Sequence, residues 1–183
     1  GEIYNYQDIR QELKDCGWQF RSNSDTEVLL TAYQEWDEKC LEKLNGMYAF
    51  AIWDDRKKEL FAARDRLGIK PLYYWHSGDT LILASEIKSI LASGLVPVAP
   101  DWTSLYTPWH YQISPNTGFK GIQKLEAGHC LKFSMTGLKI KKYWDIEPIE
   151  QVISAADAVE QLKGLIEDAV RFQMIADVPV GAF

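Results

Sequence analysis

Three thiols and three imidazoles have the widest chemical range in this sequence. Cys16, Cys40 and Cys130 are odd in number and far apart, and no Cys-x-x-Cys occurs. His76, His110 and His129 show no ligand spacing. A disulfide framework and a structural zinc site are therefore not expected, which points to a reducing compartment. The adjacent His129 and Cys130 invite a reactive-thiol reading. Neighbours in a strand point to opposite faces, so these two diverge, and Cys130 is expected to be a packed or surface thiol, neutral by default. Ser24-Asp25-Thr26-Glu27 has the pattern of a helix capping box. A negative charge at Asp25 favours the helix dipole by itself. Lys139 and Lys141 alternate with Leu138 and Ile140, which reads as a solvated strand face and not a nucleic-acid patch.

The elements that must position these groups are legible. Tyr6 to Asp15 carries Ile9 and Leu13 at helical spacing and ends at Cys16-Gly17. After the Ser24 cap, Leu29, Ala32, Tyr33 and Trp36 share one helical face. Met47 to Trp53 is apolar throughout, so a strand covered on both faces is expected. Asp54 to Lys58 is a polar hairpin loop, and Leu60 to Ala63 returns from it. Leu72 to Trp75 and Leu81 to Ala84 flank a turn at Ser77-Gly78-Asp79. Glu86 to Leu91 reads as a short helix, and Trp102 to Tyr111 as a helix weakened by Pro108. His129 to Phe133 and Leu138 to Trp144 form a hairpin around Thr136-Gly137. A linker over Glu147 to Val152 leads to a helix opened by Ser154. Its stripe is Val159, Leu162, Leu165, Ile166, Ala169 and Val170, and a strand-like run follows at Val178. Consecutive hairpins between helices suggest stacked antiparallel sheets sandwiched by helices, then the start of an α/β unit.

Composition narrows the classes. The 183 residues carry 26 acids and 20 bases, a net charge of −6, which argues against nucleic acid as a partner. Seven tryptophans, nine tyrosines and seven phenylalanines exclude a disordered chain. No apolar run approaches the ~20 residues of a membrane span, and no secretion signal is read. The expected location is cytoplasmic, with no membrane partner.

Several segments then resemble one family in order along the chain. Gly1-Glu2-Ile3-Tyr4-Asn5-Tyr6 resembles the segment that builds the glutamine pocket of glutamine-hydrolysing asparagine synthetases, and Ser24 to Leu29 the next pocket element. Leu44 to Asp54 is similar to a central strand of the same domain. Arg64-Asp65-Arg66-Leu67-Gly68-Ile69-Lys70-Pro71-Leu72-Tyr73-Tyr74 is the most specific match. Ala84 to Lys88 and Lys142-Tyr143-Trp144-Asp145 add to it. Asp177 to Phe183 is similar to the strand before the family's ATP pyrophosphate loop.

The resemblance implies an α+β fold. Residues 1–148 would be a class II amidotransferase (glutaminase) domain with part of the four-layer αββα fold of N-terminal-nucleophile hydrolases. Residues 152–183 would open the α/β ATP-pyrophosphatase domain of the synthetase. The family's N-terminal cysteine thiolate releases ammonia from glutamine. Ammonia then amidates aspartate, activated by ATP and magnesium as an acyl-adenylate. Gly1 matches the glycine whose N–H helps form the oxyanion hole. Glu2 and Asp25 match residues that hold glutamine, Asp25 through the α-ammonium group. The Arg64-to-Tyr74 loop is assigned mainly to internal ion pairing and packing.

The departures matter equally. Gly1 stands first, and none of the three cysteines matches the nucleophile. The partner asparagine of the oxyanion hole and the arginine for the glutamine carboxylate would precede Gly1, and the Ser-Gly-Gly-x-Asp-Ser loop would follow Phe183. The chain is therefore read as an internal piece of such an enzyme. It is expected to catalyse neither half-reaction alone, to bind no ATP or magnesium, and to hold no metal. A homodimer is left open. The alternatives are a relative acting on another carboxylate, as in β-lactam or cell-envelope synthesis, and a non-catalytic binding module.

Overall fold

A computed structural model of the chain describes residues 1–106, 112–148, 150, 152–175 and 181. It divides into two compact units, Gly1–Glu2 with Gly46–Asp145, and Ile3–Asn45 with Ile146–Phe183.

In the second unit, α1 (Tyr6–Asp15) and α2 (Asp25–Trp36) pack together and bury Ile9, Leu13, Val28, Leu29, Ala32 and Tyr33. A 3-10 turn at Asp37–Lys39 and α3 (Cys40–Lys43) follow. The Cys16-Gly17 stop works through two bonds. The N–H of Gly17 reaches the carbonyl of Lys14, and that of Trp18 the carbonyl of Leu13. Gly17 needs φ +96° to close this pattern, a region costly to any residue with a Cβ. At the other helix, Ser24 caps α2 by accepting from the Thr26 N–H. The expected capping box is only half formed. Glu27 reaches past Ser24 to the N–H groups of Arg21 and Ser22 and to the Ser22 hydroxyl. Three donors in the preceding loop outcompete the single Ser24 N–H, which bonds to Ser22 Oγ instead.

The first unit carries the sheets. One has the order β3 (Ala49–Asp54), β4 (Glu59–Arg64), β8 (His129–Ser134) and β9 (Gly137–Lys142), all antiparallel. The other has β6 (Thr80–Ala84), β5 (Tyr73–Ser77) and β7 (Ile122–Lys124). A further two-stranded sheet joins β1 (Glu2–Ile3) and β2 (Gly46–Met47). Ala62 and Leu131 of the four-stranded sheet share a core with Leu72, Tyr74 and Leu125, and Leu81 and Leu83 pack against it. The opposite face of the small sheet, Tyr73, Trp75, Ile82 and Ala84, meets Ile90, Val96 and Ile122. Ile90 belongs to α4 (Ile87–Ala92). The order of layers in this unit is thus helix, sheet, sheet, as period-2 burial on both sheet faces requires.

Two expectations are corrected, and a third element forms as expected with its apolar stripe exposed. Met47 to Trp53 is not one doubly covered strand. It is broken at Tyr48, and Ala51 and Trp53 of β3 are exposed while Ile52 and Asp54 are buried, so one face of this edge strand is uncovered. The strand buried on both faces is its neighbour β4, where Phe61, Ala62 and Ala63 are each 0% exposed. The helix expected from Trp102 spans only Trp102–Leu105 (α5), and residues 107–111 lie outside the described set, with His110 among them. The helix α6 (Ala155–Gln173) forms behind its Ser154 cap, but Val159, Leu162, Leu165, Ile166 and Val170 are all exposed. The strand expected at Val178 lies outside the described residues.

The β4–β5 connection is held by charge against backbone. The Arg64 guanidinium donates to the carbonyls of Lys70, Leu125 and Gly68 at 2.7, 2.7 and 2.6 Å. Asp65, 1% exposed, accepts from the N–H groups of Ile69 and Lys70. The loop was assigned mainly to internal ion pairing and packing; the charges of Arg64 and Asp65 go to backbone carbonyls and amides, which a tight turn leaves without a strand ladder. Gly68 sits at φ +65°, and a Cβ there would meet Arg64 Cζ at 3.0 Å.

Two predictions follow from these contacts. Arg64→Lys keeps the charge but loses the fork. It should cost roughly 2–4 kcal/mol in urea unfolding, the scale of bonds to a charged donor and of stranded carbonyls. The second concerns acid. Glu27 is held below its ordinary pKa by the Ser22 hydroxyl and the loop amides. Asp54 is lowered by the N–H groups of Lys57 and Arg56, and Asp101 by the Ser104 hydroxyl and amide. A lowered folded pKa stabilises above the unfolded value and loses that contribution as pH falls through the folded one. The urea midpoint should therefore fall from pH 7 to pH 3, and Glu27→Gln should flatten part of that slope.

Candidate functional site

Asp25 is the first residue of α2, placed there by the Ser24 cap. Its carboxylate turns toward the start of the chain. Oδ2 accepts the N–H of Ile3 at 3.1 Å, and Oδ1 accepts from the Thr26 hydroxyl at 3.3 Å. A carboxylate offers about four lone-pair sites, so capacity for a cationic group remains. Ile3 is buried, and its strand is pinned further along. The Tyr4 N–H bonds to the Asn45 carbonyl, and the Asn5 side chain bonds to the N–H of Asn45 and the carbonyl of Lys43. Asp25 and Asn5 thus fix the same short segment from two sides.

Gly1 lies against the β2–β3 junction. A Cβ there would stand 2.8 Å from the Met47 carbonyl oxygen and 3.0 Å from Tyr48 Cα. Both are backbone atoms, so the position admits no side chain without a backbone shift. Glu2, half-buried, opens β1 beside Gly1. Of the three residues singled out in the sequence, the chain itself joins Gly1 and Glu2, and Asp25 is bonded to the residue that follows them.

Beneath Gly1 is a polar pair that sequence reasoning passed over. Tyr48, 3% exposed, places its hydroxyl 3.0 Å from that of Tyr143. The Tyr143 hydroxyl donates to the Arg64 carbonyl at 2.8 Å. Tyr143 has a single proton and gives it to Arg64, so Tyr48 donates to Tyr143. Burial pushes the Tyr48 hydroxyl far above its ordinary pKa, and the bond donated to Tyr143 adds to it. Burial likewise pushes Tyr143 up to about 12. Both phenols are neutral at physiological pH. They are 95 residues apart in sequence, and no local pattern announces such a pair.

His129 and Cys130 lie in β8, where strand alternation separates them. Cys130 is 2% exposed and His129 is half-buried, its Nδ1 at 2.8 Å from the Ala127 carbonyl oxygen. Cys40 is buried and Cys16 exposed, and none of the three cysteines is in a disulfide. Among the described residues no three His, Cys, Asp or Glu side chains form a metal-holding group. No helix among them is long and apolar enough to cross a membrane. An open groove of about 490 Å³ is lined by Tyr6, Gln7, Arg10, Gln11, Lys14 and Asn23, and by none of Gly1, Glu2 and Asp25.

Comparison with known proteins gives this geometry its context. Residues 1–144 match the model of a family described as a glutamine amidotransferase domain. Over its whole length the chain is 46% identical to asparagine synthetase [glutamine-hydrolyzing] 3 of Bacillus subtilis, covering 30% of that protein. It is 36% identical to a putative asparagine synthetase [glutamine-hydrolyzing] 2 of Methanocaldococcus jannaschii, covering 36% of it. It is also 33% identical to an amidase of Gibberella zeae, covering 28%. The chain therefore spans about a third of the length of these relatives. Among solved structures it is similar to glutamine phosphoribosylpyrophosphate amidotransferase of B. subtilis, with a TM-score of 0.55 and 23% identity. That match covers 78% of this chain and 27% of the other, and shows likeness of fold. With the family model spanning residues 1–144, the chain belongs to the glutamine amidotransferase domain family.

Proposed function

We propose that the chain is the glutamine-hydrolysing part of a glutamine-dependent asparagine synthetase. The observation that carries this reading is the 46% identity along the entire chain, which runs past the family domain into α6. On this reading residues 1–148 belong to the glutaminase domain, with the αββα layering of N-terminal-nucleophile hydrolases, and residues 152–183 open the synthetase domain. The exposed apolar stripe of α6 supports the second part, since such a face suits a helix at the opening of a further domain.

In the glutaminase step a cysteine thiolate attacks the carboxamide carbon of glutamine. The carbonyl oxygen takes the developing negative charge. The C–N bond breaks, ammonia leaves, and water then cleaves the thioester to give glutamate. The position of Gly1 is assigned a backbone N–H aimed at that oxygen, and the backbone packed against it explains why glycine stands there. Glu2 and Asp25 are assigned to hold the amino acid, Asp25 by its charge on the α-ammonium group. Cys40 and Cys130 are buried, so neither is given the nucleophile's role, and Cys16 at the end of α1 lies outside the matched segments. The nucleophile is placed in the further residues of the whole protein.

Ammonia would then amidate aspartate, with ATP and magnesium supplying the activation of the carboxylate. None of the described residues groups as a metal site, and no step of that half-reaction is assigned to them. A second reading is amidation of a different carboxylate; the match to the fungal amidase bears only on amide cleavage, the step that both readings share. Both share the glutaminase step, and the acceptor that consumes glutamine-derived ammonia with ATP separates them.

The test uses the whole protein, with the residues its relatives carry beyond this chain. It should release ammonia from glutamine; no release would refute the glutaminase assignment. Asp25→Asn keeps an acceptor for the Ile3 N–H but loses the charge. It should raise KM for glutamine about 10- to 100-fold with kcat little changed, the worth of a bond to a charged group. Gly1→Ala keeps the N–H but shifts it, since its Cβ meets backbone at 2.8 Å, and should lower kcat by up to roughly 10²–10³, the worth of an aligned oxyanion donor.

A further inference from the structure

The tyrosine pair beneath Gly1 is used by neither the fold argument nor the proposed chemistry, yet its geometry is closely specified. We infer that Tyr143 is a positioning residue for glutamine hydrolysis, acting through Tyr48 on the backbone against which Gly1 is seated. The inference rests on the glutaminase reading above and adds a residue to it.

Each link lies in one unit, residues 1–2 with 46–145. Gly1 stands so close to Met47 and Tyr48 that their backbone sets its position. The Tyr48 backbone is fixed by the Asp65 N–H, which donates to the Tyr48 carbonyl at 2.8 Å. Its side chain is fixed by the hydroxyl bond to Tyr143. Tyr143 is in turn immobilised at both ends. Its N–H and that of Trp144 converge on the Gly128 carbonyl, and its hydroxyl donates to Arg64. The Trp144 ring takes the Arg66 guanidinium at 5.9 Å. Tyr143 is thus a rigid post just past the end of β9, and Tyr48 leans on its tip.

Removing the Tyr143 hydroxyl strands two buried groups, the Tyr48 proton and the Arg64 carbonyl. Tyr48 must then move to find an acceptor, and Gly1 moves with it. Such a displacement misaims the proposed oxyanion donor, while Asp25, in the other unit, keeps its bond to the Ile3 N–H. Catalysis is more sensitive than binding to such an error.

The experiment is steady-state glutamine hydrolysis by the whole protein with Tyr143→Phe, Tyr48→Phe and the double variant. Tyr143→Phe is expected to lower kcat about tenfold, with KM within twofold of the parent. The double variant is expected to be no slower than the slower single variant, since both changes break one linked unit. If Tyr143→Phe does not fold, Tyr48→Phe, which leaves the Tyr143–Arg64 bond intact, decides by the same kcat criterion. An unchanged kcat in a folded single variant, or multiplicative losses in the double variant, overturns the inference while the glutaminase reading stands. A parent protein that releases no ammonia overturns the glutaminase reading itself, and the positioning role with it.

Discussion

Two adjacent charges, Arg64 and Asp65, are used by the chain as backbone connectors. The guanidinium collects three carbonyls, from both sides of a tight loop and from the exit of β7. The carboxylate collects two amides from the same loop. Buried peptide groups must find partners, and a loop that leaves one sheet to start another has no ladder to supply them. Charged side chains fill the gap with bonds stronger than neutral ones. The constraint reaches both sheets, because Arg64 ends β4 and the loop delivers Leu72 and Tyr74 into the shared core. It reaches the candidate site as well. The Arg64 carbonyl receives Tyr143 and the Asp65 amide grips Tyr48.

Within each unit the candidate residues are set by short-range steric and polar limits. Gly1 occupies a place defined by the absence of a Cβ. Asp25 is brought to the first residues of the chain by a helix cap, and its carboxylate is oriented by the amide of Ile3. Such a carboxylate is preorganised, so a ligand that needs negative charge there meets it already in place. Membership of the glutamine amidotransferase domain family is what the proposed role of Asp25 toward glutamine rests on.

The local features of this molecule were legible in its sequence, and the non-local ones were not. The stop at Cys16-Gly17, the cap at Ser24 and the turn at Gly78-Asp79 each depend on residues within a few positions of one another, so pattern reading locates them. The divergence of His129 and Cys130 follows from strand alternation alone. The burial of β3 against β4 could not be read, because it depends on β8 pairing with β4 from some seventy residues away. Glu27 was misassigned for a competitive reason, since three loop donors outbid the one a capping box supplies. The Tyr48–Tyr143 pair and the Arg64–Leu125 bond are long-range in the same way, and tyrosine in a strand announces only an aromatic filler. At the site, Asp25 was visible through the agreement of a helix cap with a family segment. Its bond to Ile3 was not.

The central claim is that the negative charge of Asp25 receives the α-ammonium group of glutamine. It is tested most directly by calorimetric titration of the whole protein with L-glutamine and, in parallel, with Nα-acetyl-L-glutamine, which keeps the carboxamide and carboxylate but has no positive charge. The account predicts measurable heat for glutamine and binding at least tenfold weaker for the acetylated ligand. Equal affinity for the two, or no binding of glutamine, would contradict it.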